Sequence, residues 1–264
     1  MPDLVSQLRR AADRTFLVAF SYRSGSTLVC SDLERAGVGR PTEYFQVPRY
    51  EGRPGSLADY VVRTVAAASV DGLFGCKISW EQAASLVRRL VEERSVPPGT
   101  TLNELFPDAQ FLHLERRDAL GQAVSAWRAG TTGEWHRRPG ERPPDRKIPP
   151  FDVVAAADRY LQVRAEAGLW DEWFRRVGVE PYRLIYERWC EDRAGSVAAV
   201  AAHLGVALEV PVRVEDDLEV LRDNWSAAAC ERLWNYLSAP SGPNWVGPRL
   251  GAGRTTPTGL PSPP

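Results

Sequence analysis

Five apolar residues in a row, Phe16-Leu17-Val18-Ala19-Phe20, run straight into Ser21-Tyr22-Arg23-Ser24-Gly25-Ser26-Thr27, and a helical pattern opens at Leu28. A buried strand, a small hydroxyl-rich loop and a helix in that order commit the chain to a strand-loop-helix unit. The first backbone N–H groups of such a helix have no intrahelical partner and sit at the positive end of its dipole, so they suit an anion. Gly25 lets the backbone approach a ligand closely, and Ser24, Ser26 and Thr27 add hydroxyl donors. The GxxxxGK[ST] loop of nucleotidases requires a Lys before its terminal hydroxyl residue, and here that place is taken by Ser26. Arg23 supplies the charge instead. A Ser-rich cap on an ordinary helix would use the same residues, so the loop alone leaves both readings open.

Further along, Leu73 to Trp80, Gln110 to Glu115 and Tyr182 to Tyr186 read as strands, and the segments between them carry helical periodicity. The predicted helices cover 56–69, 81–93, 119–128 capped by Asp118, 152–174, 193–204 and 226–237. Strands alternating with helices predict an α/β fold with a mostly parallel central sheet flanked by helices, and ligands in such sheets bind at the carboxyl ends of the strands. Residues 1–239 are expected to form one domain. From Pro240 the chain is rich in Pro, Gly, Ser and Thr, which predicts a flexible tail over 240–264. The Gly-, Pro- and Arg-rich stretch from Gly130 to Pro150 is expected to be a mobile surface loop.

The chain has 264 residues, 25% of them charged, with a formal net charge of -1, so no global field favours nucleic acid or an anionic membrane. Any anion site must be local. No apolar run approaches the ~20 residues of a membrane span, and the first residues are too charged for a signal peptide, which makes a cytoplasmic location the expectation. Cys30, Cys76, Cys190 and Cys230 are scattered without a CxxC pair, and His113, His136 and His203 do not cluster with them, so no metal site is expected. Most of the four thiols should be small buried packing residues.

Three segments bring phosphate-seeking groups to strand ends: Arg23 to Thr27, Lys77, and Arg116 with Ser125 one helix further on. That arrangement suits a ligand with two separated anionic groups, one in the loop and one at Arg116 and Ser125. A nucleoside triphosphate would want clustered charge and magnesium, and acids placed to hold magnesium are not obvious, Asp118 being the one candidate.

The ordered motifs SYRSGST, TEYFQ, FGCKISW and RRDALGQAVSAWR resemble the bacterial trehalose 2-sulfotransferase family, whose members use 3′-phosphoadenosine 5′-phosphosulfate (PAPS). The resemblance spans roughly Thr15 to Trp225. It implies a P-loop-like sulfotransferase fold, a grip on the 5′-phosphosulfate by Arg23, Ser24, Gly25, Ser26 and Thr27, and a 3′-phosphate site at Arg116 and Ser125. It also implies that Glu43, in TEYFQ, is a general base for the acceptor hydroxyl, for which a modestly raised pKa would serve. Lys77 and Arg23 become candidate stabilisers of the leaving phosphate, and Arg222 a further cofactor contact, through a looser match ending at Trp225. Trp127, Arg128, Trp135 and His136 have a composition that suits a sugar face. The implied reaction is transfer of a sulfuryl group to a hydroxyl of a carbohydrate, glycolipid or glycosylated natural product, without metal, and the resemblance also implies a homodimer. An ATP-dependent kinase and a non-catalytic nucleotide-binding module are the alternatives.

Overall fold

The structure is a computed structural model that describes residues 3–50, 52, 55–137, 140–141, 149–208 and 223–239. The expected tail at 240–264, most of the stretch 138–148 and Arg222 lie outside the described residues. Four strands, β1 (Arg14–Phe20), β2 (Leu73–Ser79), β3 (Ala109–Glu115) and β4 (Tyr182–Ile185), form one sheet in the order β2-β1-β3-β4. All of its pairings are parallel. The register sets Phe20 beside both Ser79 and Leu114, so the chain leaves β1, β2 and β3 at a common edge.

The helices are α1 (Leu4–Ala11), α2 (Ser26–Arg35), α3 (Val47–Tyr50), α4 (Leu57–Ala68), α5 (Trp80–Glu92), α6 (Leu102–Leu105), α7 (Ala119–Thr132), α8 (Val153–Val177), α9 (Tyr186–Glu191), α10 (Arg193–Leu204) and α11 (Asn224–Ser238). Period-two alternation along β1 splits its side chains between two cores. Leu17 and Ala19 pack with Val61, Leu86 and Trp170 from α4, α5 and α8. Phe16, Val18 and Phe20 pack on the opposite face with Val29, Leu33 and Val200 from α2 and α10. A third cluster joins α7, α8 and α11 through Val124, Trp127, Ala156 and Leu233.

Local chemistry sets the helix starts. Ser56 and Asp59 form a capping box at α4, as Ser79 and Gln82 do at α5, while Asp118 caps α7 and Asp192 caps α10. Where a cap is legible in the sequence, the observed boundary lies within a residue or two of the expected one. Two ends ran further than expected: α7 continues to Thr132 and is closed by Gly133 at φ 76°, and α8 continues to Val177 and is closed by Gly178 at φ 69°. Residues 130–132 are therefore helix rather than surface loop. Helix α9, six residues following β4 without a break, is too short to leave a periodic signal.

Asp32 is the polar anchor beneath the sheet face that carries α2. It is fully buried, and its carboxylate accepts hydrogen bonds from Trp189 Nε1 at 2.8 Å, from Arg193 Nε at 2.9 Å, and from a second Arg193 nitrogen. This ties α2 to α9 and α10. At the β3–β4 side, His113, Glu115 and Asp171 bring their ligating atoms within 4.8 Å of one another. Arg183 donates to both carboxylates, so the cluster is an ion-paired brace between α8 and the sheet.

Candidate active site

The loop after β1 has a shape that only part of its sequence makes easy. Arg23 sits in the left-handed region at φ 64° and Gly25 at φ 90°. A Cβ on Gly25 would lie 2.1 Å from Tyr186 Cδ2, so glycine is required there both by conformation and by the ring that covers it. Gln122, buried on α7, donates from Nε2 to Ser21 Oγ and to the Tyr22 carbonyl, both at 2.8 Å. Arg116 donates to the Arg23 carbonyl at 3.1 Å, and its guanidinium lies 5.2 Å from the Tyr186 ring centroid. The loop is thus clamped from α7, β3 and α9. Helix α2 opens at Ser26, two residues earlier than expected, with Gly25 as its N-cap and no side chain capping its first turn. Placing Ser26 and Thr27 in that turn adds their N–H groups to the helix start. Ser24 is fully buried and its Oγ makes no hydrogen bond.

Glu43 is brought to the loop by a short pairing that sequence periodicity does not signal. Thr42 bridges to Cys76 in parallel, and its carbonyl accepts the Lys77 N–H at 3.1 Å, which anchors the chain beside β2 just before Glu43. Lys77 lies inside β2, two residues before its end, and is 7% exposed, so it is no solvated edge lysine. Its Nζ is 3.1 Å from Glu43 Oε1 and donates to Thr27 Oγ1 at 3.0 Å. Gln82 Nε2 donates to Glu43 Oε2 at 2.7 Å, and Gln46 Nε2 donates to the same oxygen. Burial pushes the carboxyl pKa up, but Lys77 and the bonds from Gln82, Lys77 and Gln46 outweigh it and hold Glu43 below its ordinary value. The expected raised pKa is therefore corrected: a burial argument alone misses the donors that surround the carboxylate.

Ser125, on α7 one turn after Gln122, accepts from Arg23 Nε at 2.9 Å. Arg23 also donates to the Trp135 carbonyl. Burial, then the nearby Arg116, depresses the Arg23 guanidinium. Arg23, Arg116 and Ser125 therefore share one corner of the site. Asp118 is engaged structurally: Oδ1 accepts the Gly121 N–H at 2.8 Å and Oδ2 lies 3.5 Å from Arg116. Arg128 pairs with Asp223 at 3.0 Å and lies 5.5 Å from the Trp225 ring centroid.

A cavity of about 720 Å³ opens over this edge of the sheet and is lined by Arg23, Gly25, Ser26, Thr27, Glu43, Lys77, Arg116 and Ser125. Of the five residues expected to grip the phosphosulfate, Arg23, Gly25, Ser26 and Thr27 border it, and Ser24 is buried away from it. Trp135, 43% exposed, and His136 also border it, His136 Nε2 lying 3.3 Å from Thr27 Oγ1. Partial burial, then the charges of Arg23 and Lys77, push the His136 pKa down to about 4. Trp127 does not face the cavity as a sugar platform: it is buried against Phe151 and stacked on Trp225. Cys30 and Cys76 are buried as expected, whereas Cys190 and Cys230 border the cavity.

Residues missed in the sequence fall into two groups. Gln82 was legible as a helix cap, through the Ser79-x-x-Gln82 spacing, but not as a partner of Glu43. Glu134, which borders the cavity and accepts a hydrogen bond from Arg137, carries no local signal, since only the fold brings it there.

A parallel sheet with an anion-suited loop, a helix start and a carboxylate–lysine pair at one edge defines the class of α/β proteins that take an anionic ligand at their strand ends. The Stf0 sulphotransferase family profile matches residues 57–235, and the chain belongs to that family. It is 28% identical to the trehalose 2-sulfotransferase of Mycobacterium tuberculosis (strain Erdman), over 74% of this chain and 85% of that protein. It is 29% identical to the trehalose 2-sulfotransferase of Mycolicibacterium smegmatis, over 72% and 84% respectively. Membership sets aside the kinase alternative. No helix among the described residues is long and apolar enough to cross a membrane.

Proposed function

We propose that the protein is a PAPS-dependent O-sulfotransferase that acts on a hydroxyl of a carbohydrate, glycolipid or glycosylated natural product, with Glu43 as general base. The observation that carries this reading is the convergence of the uncapped start of α2, Lys77, Glu43 and the Arg116–Ser125 corner on one cavity. The donor would supply the sulfuryl group. Arg23, Ser26 and Thr27, with the first N–H groups of α2, would hold its 5′-phosphosulfate, and Arg116 with Ser125 its 3′-phosphate. Ser24 would support the loop from below.

Sulfuryl transfer forms an S–O bond to the acceptor and breaks the S–O bond to the leaving phosphate, on which negative charge builds. By analogy with phosphoryl transfer the transition state is loose, so positioning and charge stabilisation dominate. Lys77, in contact with both Thr27 and Glu43, would neutralise the leaving phosphate. Glu43 takes the acceptor proton as the S–O bond forms. A low carboxylate pKa keeps it ionised and ready, and a donor anion nearby would raise its basicity at the moment it is needed.

Calorimetry tests the donor assignment. Adenosine 3′,5′-bisphosphate should bind without magnesium and more tightly than adenosine 5′-phosphate. Arg116→Ala or Ser125→Ala should erase about tenfold or more of that preference. Equal affinity for the two nucleotides in the unaltered protein would overturn the 3′-phosphate site.

A further inference from the structure

We propose that Gln82 is a positioning residue that couples the cap of helix α5 to the charge state of Glu43. This rests on the reading of Glu43 as the base. Gln82 is 6% exposed, and both ends of its amide are used. Its Oε1 accepts the Ser79 N–H at 3.1 Å, while its backbone N–H is capped by Ser79 Oγ at 3.3 Å. Because a backbone N–H can only donate, Ser79 fixes which end of the amide is oxygen. The NH₂ group therefore faces Glu43, donating to Oε2 at 2.7 Å, with the Tyr22 hydroxyl 3.4 Å away.

Ser79 ends β2 two residues after Lys77, so one stretch of chain delivers two groups to the same carboxylate. Lys77 takes Oε1, while Gln82 and Gln46 both donate to Oε2. The carboxylate is thereby held in one orientation, with the remaining lone pair of Oε1 available to an incoming hydroxyl. The residue type matters for a reason the helix cap does not supply. A capping box accepts Glu as readily as Gln at this position. Glutamate here would keep the bond to Ser79 but turn its second oxygen toward Glu43, and two carboxylates in contact cannot both ionise easily.

The charged and titratable groups around Glu43 come from every side. Lys77 and Cys76 lie on β2, Cys30 on α2, Tyr22 on the loop and His136 on the segment after α7. Of these Lys77 is the cation in contact, and a substitution at Gln82 leaves it in place.

The test is a carbon-13 titration of the Glu43 side-chain carboxyl in the full-length protein, assigned by its loss in Glu43→Gln, together with the pH dependence of sulfate transfer from labelled PAPS to trehalose and other sugars. Gln82→Glu should keep the fold and move the Glu43 midpoint upward by about one unit or more. A base must be deprotonated to act, so the acidic limb of activity moves upward by the same amount, and turnover on that limb falls about tenfold for each unit of the shift. Ser79→Ala removes the reciprocal cap but spares the amide–carboxylate bond, so it should destabilise the protein while leaving the Glu43 midpoint low. An unchanged midpoint in Gln82→Glu overturns the inference, as does a midpoint in Ser79→Ala raised as far as in Gln82→Glu. Should Gln82→Glu not fold, Gln82→Met, which removes the donor without adding charge, must raise the midpoint or the inference fails. Full activity in Glu43→Gln would instead refute Glu43 as the base, and the titration would still report whether Gln82 sets its charge.

Discussion

Replacing Gly25 by Ala separates the two demands made on this position. At φ 90° an L-residue is strained, at about 1–2 kcal/mol. The new Cβ would also lie 2.1 Å from Tyr186 Cδ2 and 2.2 Å from Cε2, so the ring must retreat by more than ~1 Å to reach ordinary contact. That retreat disturbs the Arg116–Tyr186 stacking, of the order of 0.5–2 kcal/mol for a partly buried pair. Together the loss should be about 2–4 kcal/mol in urea unfolding. Gly37 provides the control: its φ is 78° and no atom lies within 4 Å of an added Cβ, so Gly37→Ala meets the strain alone. Its loss should stay within about 1–2 kcal/mol, partly offset by a less flexible unfolded chain. Because the displaced ring is gripped by Arg116, Gly25→Ala should also weaken adenosine 3′,5′-bisphosphate at least about tenfold, and Gly37→Ala should not. Equal destabilisation by the two substitutions, with unaltered nucleotide affinity in Gly25→Ala, would refute the claim that Tyr186 and the loop form one packed unit.

Asp32→Ala should destabilise by about 3–5 kcal/mol in the same assay, because it removes the buried carboxylate that pairs with Arg193 and accepts the Trp189 N–H. A loss under about 1 kcal/mol would show that solvent reaches this anchor. His136 has a folded-state pKa of about 4 against an ordinary 6.5, so the unfolded chain binds its proton first. The stability tied to the neutral ring is present above about pH 6.5 and is lost as pH falls toward 4. His136→Asn should flatten stability against pH across that window, and an unchanged profile would contradict the lowered pKa. Trp127→Ala should lower stability by about 3–5 kcal/mol, as a buried aromatic packed on Phe151 and Trp225 would, whereas Trp135→Ala should leave unfolding within about 0.5 kcal/mol of the parent.

The layered fold was legible because its signals are local. The β1 run, the Asp118 cap and the alternation of strands with helices each fix an element without knowledge of its neighbours. Arg23, Gly25, Lys77, Arg116 and Ser125 were legible as candidates because a parallel sheet gathers its carboxyl ends at one edge. The charge state of Glu43 was not. It depends on Gln82, 39 residues away in sequence, and on Lys77, brought alongside by a two-residue bridge too short to read as a strand. Trp127 and Trp135 differ in the same way: eight positions apart, one is sealed by α8 and α11 and the other stands at the cavity mouth, a contrast only tertiary packing creates.

Sulfuryl transfer with Glu43 as base is read out by the rate of label transfer from sulfur-35 PAPS into a panel of sugars and glycolipids, trehalose included. The unaltered protein should label at least one acceptor without added magnesium, and Glu43→Gln should cut that rate about 10²-fold or more while binding adenosine 3′,5′-bisphosphate within about twofold of the parent. Undiminished labelling by Glu43→Gln, or transfer that requires magnesium and ATP, would contradict it.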